Sequence, residues 1–158
     1  MVSEGDAAPD FTAPLANGDI GEFTLSEELD DGPTVLAFFP GAFTSVCSHE
    51  MNEFQDRLAN FEEIDATVYG VSVDSPFALN EFREQLGLEF DLISDSDKQI
   101  IDAYDISMDF DSLGVNGVAK RSVFVVDTDG TVTYAWVSDD PGVEPEYDEV
   151  EAATEDAA

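Results

Sequence analysis

The chain has 158 residues, of which 37 are Asp or Glu and 5 are Lys or Arg, so its formal net charge is −32 at pH 7. This charge argues against binding to nucleic acid or to an anionic membrane, because both need clustered Lys and Arg. No apolar run approaches the roughly 18 residues that span a bilayer, and the N-terminus lacks the pattern of a signal peptide. We expect a single domain over residues 1–158, located in the cytoplasm.

The acidic excess is typical either of a disordered chain or of a folded domain with an acidic surface. The 12 Phe, 4 Tyr and 1 Trp residues and the periodic apolar stretches favour the folded domain. An acidic surface repels itself in dilute buffer, and this repulsion is largely screened at about 1 M salt, where the Debye length is about 3 Å. The composition therefore predicts a halophilic host with a salt-rich cytoplasm.

The first third of the chain predicts a β-hairpin, a buried strand and a helix. Asn17-Gly18 lies between the short apolar stretches of residues 10–25, which is the pattern of a hairpin. Residues 34–39 form an unbroken apolar run that favours a strand buried on both faces. A helix capped by Thr44 or Ser45 follows. Its buried face is predicted from the helical spacing of Met51, Phe54, Leu58 and Phe61.

The middle third predicts two further strands with a helix between them. The strands cover residues 67–73 and 90–94. Ser75-Pro76 begins the helix and Gly87 ends it. We expect its inward face to consist of Phe77, Leu79, Phe82 and Leu86.

The last third predicts a short helix over residues 98–104 and a loop over residues 105–119. Strands over residues 121–126 and 131–137 follow, joined by a turn. The acidic C-terminal segment, at about residues 143–158, is either a short helix or a loose tail.

The order of these elements predicts an α/β fold. Strands that alternate with helices imply a central sheet with helices on its faces. The hairpin at the start and the pair of strands at the end add antiparallel neighbours. We therefore expect a mixed central β-sheet flanked by helices, with an N-terminal β-hairpin.

The single cysteine, Cys47, falls in the first turn of a predicted helix, directly after a buried strand. The free backbone N–H groups there, those of Val46 and Cys47 among them, and the positive end of the helix dipole stabilise a thiolate. A lone cysteine is otherwise typical of a small buried apolar side chain. Pro40 at the end of the strand, and Thr44 three residues before the cysteine, favour the reactive interpretation.

The segment PGAFTSVC, residues 40–47, resembles the P-x-x-x-T-x-x-C signature of the peroxiredoxins. These are thiol-dependent peroxidases of the alkyl hydroperoxide reductase/thiol-specific antioxidant family. The two phenylalanines before the segment, the helix after it and the later RSVFVVD strand also match the layout of that family. The resemblance covers about residues 3–150 and implies a thioredoxin-like fold.

The resemblance implies a role for each of five residues. Cys47 resembles the peroxidatic cysteine, and Thr44 resembles the hydroxyl that holds the peroxide and the thiolate. Pro40 resembles the residue that shields the sulfur from water. Arg121 resembles the arginine beside the thiolate, and Glu50 resembles the position that often steers that arginine.

The chemistry of these side chains agrees with the implied roles. Attack on a peroxide needs a thiolate, and the guanidinium of Arg121 stays charged and offers two parallel donors. Negative charge moves from sulfur to the leaving oxygen as the O–O bond breaks, so fixed donors along that path lower the barrier. The alternative for Arg121 is a surface salt bridge. His49 is expected to face solvent, because residues two apart do not share a helix face.

The chain departs from many peroxiredoxins in having no second cysteine, and Asn52 stands where one subgroup places the resolving cysteine. It resembles the one-cysteine members, closest to the alkyl hydroperoxide reductase E type and the bacterioferritin-comigratory type. The resemblance implies a sulfenic acid that is reduced by an external thiol, from a thioredoxin-like protein, a glutaredoxin-like protein or a small thiol. It implies no cofactor and no metal, and family habit suggests a homodimer.

Three functions compete on this sequence. The first is a peroxidase that reduces hydrogen peroxide or organic hydroperoxides. The second is a thioredoxin-like disulfide exchanger, which is disfavoured because the chain has no C-x-x-C pair. The third is a redox sensor or binding module on a thioredoxin fold that uses Cys47 without turnover.

Overall fold

The computed structural model describes residues 1–158, which form nine strands, five α-helices and two short 3₁₀ helices. The strands are β1 (Thr12–Ala16), β2 (Ile20–Thr24), β3 (Thr34–Phe38), β4 (Thr67–Ser72), β5 (Leu92–Ser94), β6 (Ser107–Phe110), β7 (Val115–Ala119), β8 (Ser122–Val126) and β9 (Val132–Val137). The α-helices are α1 (Ser45–Asp56), α2 (Leu58–Glu62), α3 (Pro76–Leu86), α4 (Gln99–Ala103) and α5 (Tyr147–Ala157), and the 3₁₀ helices are Leu25–Glu27 and Asp111–Leu113. None of the helices combines the length and the apolar character needed to cross a membrane.

Seven strands form one mixed sheet in the order β2-β1-β5-β4-β3-β8-β9. The neighbours β3, β4 and β5 run parallel, and every other neighbouring pair is antiparallel. The N-terminal hairpin is β1–β2, with Ala16 opposite Ile20 across its turn. The predicted mixed sheet, flanking helices and N-terminal hairpin are confirmed.

The two faces of the sheet carry different helices. The face under α1, α3 and α5 buries Met51, Phe54, Phe82 and Val150 in one apolar cluster that also contains Cys47. The opposite face carries α4 and a second cluster, rich in aromatic side chains. The cysteine therefore lies at the edge of a packed core and not on a mobile surface loop.

Gly70 on β4 lets α1 pack close to the sheet. A Cβ atom added at Gly70 would lie 2.9 Å from Met51 Sδ and 2.7 Å from Leu92 Cδ2, closer than real side chains approach. The close approach of two elements is a standard use of a glycine within a strand. Because Cys47 is one turn before Met51 on α1, this packing also sets the depth of the cysteine.

Residues 105–119 form a hairpin, so the predicted loop is wrong. Strands β6 and β7 pair in antiparallel fashion and form a separate two-stranded sheet. The hairpin turns at Gly114, which has a φ of 66°. The sequence carries the strand signal in the alternation of Ile106, Met108 and Phe110, with polar residues between them. The acidic residues and glycines of the segment are typical of a loop, so its composition conceals the strand pattern.

Phe77 does not face inward, although the sequence places it on the buried face of α3. Its side chain is 73% exposed, whereas Leu79 and Phe82 are buried. At 3.6 residues per turn, Phe77 and Leu79 lie about 160° apart around the helix axis. The predicted caps of α3 are confirmed, because the Ser75 hydroxyl accepts from the backbone N–H of Ala78 and Gly87 adopts a left-handed conformation.

The predicted helix after β3 is divided into α1 and α2. Arg57 lies between them with a φ of −98° and a ψ of 0°, which interrupts the regular helix. The face predicted from the spacing is confirmed by the buried side chains Met51, Phe54, Leu58 and Phe61.

Helix α5 occupies most of the acidic C-terminal segment, where the sequence left a short helix and a loose tail open. Val150 and Thr154 are buried against the rest of the molecule. Arg57 Nη1 lies 2.8 Å from an Asp148 oxygen and 3.3 Å from a Glu151 oxygen. One cation between α1 and α2 thus holds two of the many carboxylates of this segment.

Candidate active site

Cys47 is the third residue of α1, and its side chain is 1% exposed. No hydrogen bond within the chain uses the backbone N–H groups of Ser45, Val46 and Cys47. Such groups at the beginning of a helix point along its axis and, with the helix dipole, favour a negative charge. The predicted position of the cysteine in the first helical turn is confirmed.

The loop between β3 and α1 is fixed by the carboxylate of Asp74, two residues after the end of β4. The backbone N–H of Ala42 donates to Asp74 Oδ2 at 2.8 Å, and the Ser72 hydroxyl donates to the same oxygen at 2.7 Å. The loop contains Phe43 in the left-handed region, with a φ of 68°, which is an outlier for a bulky residue. Asp74 was missed by the sequence reasoning, since nothing local distinguishes it from the other acidic residues.

Arg121 uses all three nitrogens of its guanidinium in the site. Nη2 donates to Cys47 Sγ at 3.1 Å, Nη1 donates to Glu50 Oε1 at 2.7 Å, and Nε donates to the Pro141 carbonyl at 3.1 Å. The arginine is 1% exposed. The alternative of a surface salt bridge is therefore wrong, because the pair is buried and one partner is the cysteine.

Glu50 is completely buried, one turn after Cys47 on α1. Its Oε1 accepts from Arg121, while its Oε2 has no hydrogen-bond partner. Burial raises the pKa of Glu50 to about 7, against the opposing effect of the Arg121 charge. The carboxyl group is therefore positioned to exchange a proton near neutral pH.

Thr44 and Pro40 lie beside the cysteine, in different environments. Thr44 is exposed, and its hydroxyl donates to the Gly41 carbonyl at 3.1 Å. It occupies the N-cap position of α1, one of the two positions predicted for the cap, but its side chain makes no capping hydrogen bond. Pro40 is buried. Both residues line, together with Cys47 and Arg121, one cavity of about 310 Å³.

The outer wall of this cavity comes from residues that the sequence reasoning missed. Phe110, Leu113 and Val115 belong to the β6–β7 hairpin, and Pro141 and Gly142 follow β9. The alternating pattern of β6 could have revealed the hairpin, but nothing in the sequence indicates that it reaches the cysteine.

His49 faces away from the cavity and contacts the segment before α5. Its Nδ1 lies 2.5 Å from Glu144 Oε1, and the Tyr147 hydroxyl donates to the same oxygen at 2.5 Å. The hydrogen bond to Glu144 raises the pKa of His49. The side chain of His49 is 60% exposed, as its spacing from Cys47 predicts. No group of three or more His, Cys, Asp or Glu side chains could hold a metal ion.

Comparison with known proteins identifies the family. A model of the AhpC/TSA family matches residues 4–135. The chain belongs to this family. This peroxiredoxin is 37% identical over 145 residues to the chloroplastic 2-cysteine peroxiredoxin of Chattonella marina var. antiqua, an alignment that covers 87% of the chain and 71% of that relative.

Solved structures agree with the assignment. Peroxidoxin BcpB from Mycobacterium tuberculosis superposes with a TM-score of 0.87 and 29% identity, covering all of this chain and 99% of that one. The bacterioferritin comigratory protein of Xanthomonas campestris superposes with a TM-score of 0.81 and 26% identity, covering 99% and 97%. The fold is thus the thioredoxin-like α/β fold of peroxiredoxins, and the protein is a thiol-dependent peroxidase. The alternative of a redox sensor or binding module is not favoured.

Proposed function

We propose that this peroxiredoxin reduces hydrogen peroxide and organic hydroperoxides at Cys47. The observation that carries the proposal is the 3.1 Å contact between Arg121 Nη2 and Cys47 Sγ, at a cavity large enough for a small peroxide. Arg121, the Thr44 hydroxyl and the backbone N–H groups of Val46 and Cys47 would supply the hydrogen bonds that stabilise the moving charge.

In the first step, the thiolate sulfur of Cys47 attacks one oxygen of the peroxide. An S–O bond forms while the O–O bond breaks, so the sulfur loses two electrons and the peroxide gains them. The leaving oxygen takes up one proton and departs as an alcohol, or as water when the substrate is hydrogen peroxide. The cysteine is left as a sulfenic acid.

In the second step, external thiols restore the cysteine. One thiol attacks the sulfenic sulfur, which releases water and forms a mixed disulfide. A second thiol attacks that disulfide, takes the first thiol away as a disulfide and frees Cys47. Both thiols come from outside the 158 residues, because these hold a single cysteine. A thioredoxin-like protein, a glutaredoxin-like protein or a small thiol fits this role.

Two further residues support the cysteine in this proposal. Pro40 is buried where it lines the cavity beside Cys47, which suits a shield against water. Glu50 fixes one edge of the Arg121 guanidinium through the 2.7 Å contact, so that the other edge faces the sulfur. Neither side chain needs to touch the peroxide for these roles.

We also propose that the protein acts as a homodimeric single domain in the salt-rich cytoplasm of a halophilic host. Only eight of the 37 acidic side chains lie within 4.0 Å of a basic group, which supports the need for screening ions. The exposed aromatic side chains of Phe43 and Phe77 give a second copy an apolar surface to cover.

Peroxide consumption with an excess of dithiothreitol tests the proposed function. We expect many turnovers from the wild type, none from Cys47→Ser, and wild-type turnover from Ser48→Ala at the next helical position. Consumption of one equivalent of peroxide with no further turnover would support a sensor instead. Turnover by a folded Cys47→Ser protein would remove Cys47 from the mechanism.

A further inference from the structure

The cavity at Cys47 is free of carboxylates, although the chain is strongly acidic. Asp and Glu make up 37 of the 158 residues, yet none of the 12 residues that line the cavity is acidic. Arg121 is the one charged residue among them. The lining therefore differs from the rest of the surface in a way that the overall composition does not explain.

The outer wall of the cavity is apolar and open to solvent. Phe110 is half-buried, while Leu113 is 72% exposed and Val115 is 45% exposed. All three belong to the β6–β7 hairpin, and they face the cavity that contains Cys47. An apolar group entering the cavity would cover these side chains and release the water around them, which favours binding.

No cation on this wall is free to bind an anionic tail. Arg121 is buried and already bonded to Glu50, Cys47 and the Pro141 carbonyl. Lys98 reaches the hairpin from outside the cavity lining, where its Nζ donates to the Asn116 carbonyl at 3.2 Å. A carboxylate on the tail of a substrate would therefore lose hydration without gaining an ionic partner.

Exposed carboxylates are sequence neighbours of residues that line the cavity. Asp109 and Asp111 flank Phe110, and Asp140 precedes Pro141, which also lines the cavity. Asp140 also accepts from the backbone N–H of Gly142, a lining residue, at 2.9 Å, and all three carboxylates add to the negative charge of the whole molecule. An anionic substrate approaching this entrance is repelled, more strongly at low salt than at high salt.

We propose that the β6–β7 hairpin makes the site selective for uncharged hydroperoxides with an apolar tail, and that Leu113 is the main specificity-determining side chain. The proposal rests on the proposed function, because it takes Cys47 as the residue that the substrate oxidises. The tail lies against Phe110, Leu113 and Val115 while the peroxide group reaches the sulfur. A charged tail is disfavoured by the apolar wall and by the acidic residues next to it.

The first experiment tests Leu113. Rate constants for the oxidation of Cys47 by cumene hydroperoxide and by hydrogen peroxide are measured by rapid quenching and intact mass. We expect the ratio of the two rate constants to fall about tenfold in Leu113→Ser, as for the loss of a modest apolar contact in a binding pocket. The matched control is Ile20→Ser, since Ile20 is 47% exposed on β2 and lies outside the cavity.

The ratio in Ile20→Ser should stay at the wild-type value, and equal melting temperatures for both variants would show that the fold is intact. An unchanged ratio in Leu113→Ser would overturn the proposal. An equal fall in both variants would overturn it too, because exposed apolar area in general would then be responsible.

The second experiment tests the charge of the tail. Cumene hydroperoxide is compared with its para-carboxylated analogue, at the lowest KCl concentration at which the protein is folded and at about 3 M KCl. We expect the carboxylated compound to react about tenfold more slowly at low salt, with a smaller gap at high salt. An equal or faster reaction of the carboxylated compound at low salt would overturn the proposal.

Failure of the proposed function would look different. In that case, neither hydrogen peroxide nor cumene hydroperoxide would oxidise Cys47 in the wild type. Oxidation of Cys47 by all three compounds without preference would leave the proposed function intact and remove only the selectivity.

Discussion

Arg121 and Cys47 are 74 positions apart in the chain, yet Arg121 Nη2 lies 3.1 Å from Cys47 Sγ. The register of the central sheet explains why these two residues are close in space. Strands β3 and β8 are antiparallel neighbours in which Phe38, the last residue of β3, pairs with Ser122, the first residue of β8. Arg121 immediately precedes β8, and Cys47 follows β3 after a short loop, so both come to the same edge of the sheet.

Arg121→Lys should lower the rate constant of the peroxide step by about 10²-fold, comparable to the loss of one oxyanion donor. An ammonium group keeps the charge, but it lacks the planar fork that contacts Cys47 and Glu50 together. Stopped-flow or rapid-quench oxidation of Cys47 would measure the effect. Arg83→Lys serves as the control. Arg83 lies outside the cavity, and its guanidinium contacts Asp91 at 3.5 Å. A wild-type rate in Arg121→Lys would mean that the reaction does not need the planar two-donor fork of the arginine.

Thr44→Val should also slow the reaction with peroxide, by about tenfold, because it removes a donor and keeps the shape of the side chain. The Thr44 hydroxyl contacts the Gly41 carbonyl rather than the cysteine, so it must turn toward the substrate when a peroxide binds. We therefore expect alkylation of Cys47 by iodoacetamide to keep its wild-type rate in this variant. Equal losses in both reactions would show that Thr44 acts on the sulfur and not on the peroxide.

Glu50→Gln should flatten the dependence of stability on pH. The pKa of Glu50 is about 7 in the folded protein, against an ordinary value of 4.5. Between these two values the folded state holds a proton that the unfolded state has lost, so the free energy of unfolding falls as pH rises through this window. Glutamine resembles the protonated carboxyl and cannot titrate.

Melting temperatures at pH 5 and pH 8, in molar KCl to screen the surface charges, would measure this difference. The wild type should lose more thermal stability between the two pH values than Glu50→Gln does. Glu53→Gln removes one charge from the half-buried surface of the same helix and serves as the control. Parallel curves for the wild type and Glu50→Gln would contradict the prediction.

The sequence predicts the central sheet well because its buried strands are short apolar runs bounded by turn residues. It fails for the β6–β7 hairpin, whose strands are only partly covered and carry an acidic residue, Asp109, between Met108 and Phe110. Only the family resemblance predicts the contact between Cys47 and Arg121. Local sequence patterns cannot predict it, because they contain no information about the register of β3 and β8. The burial of Glu50 depends on that same register, so composition alone would count it as one more surface acid.

Peroxide without a reductant should convert Cys47 first to a sulfenic acid and then, at higher dose, to a sulfinic acid. No second cysteine within the 158 residues is available to trap the first product as a disulfide. Labelling with a dimedone-type probe and intact mass would detect the addition of one and then two oxygens. A covalent dimer formed at once would instead show that Cys47 pairs with its counterpart in another copy.

The melting temperature should rise strongly between 0.1 M and more than 1 M KCl. Of the 37 acidic side chains, 29 have no basic group within 4.0 Å, and the Debye length shortens from about 10 Å at 0.1 M salt to about 3 Å at 1 M. A domain with a typical stability of about 5–15 kcal/mol has little margin against the repulsion among these charges.

The contact between Cys47 and Arg121 is buried, and buried pairs are screened less, so peroxidase activity should persist at high salt. Thermal scans in KCl and in NaCl of equal ionic strength would separate screening from an effect of one ion. A flat or falling melting temperature would show that the acidic surface is not an adaptation to salt, and the proposed halophilic host would lose its basis.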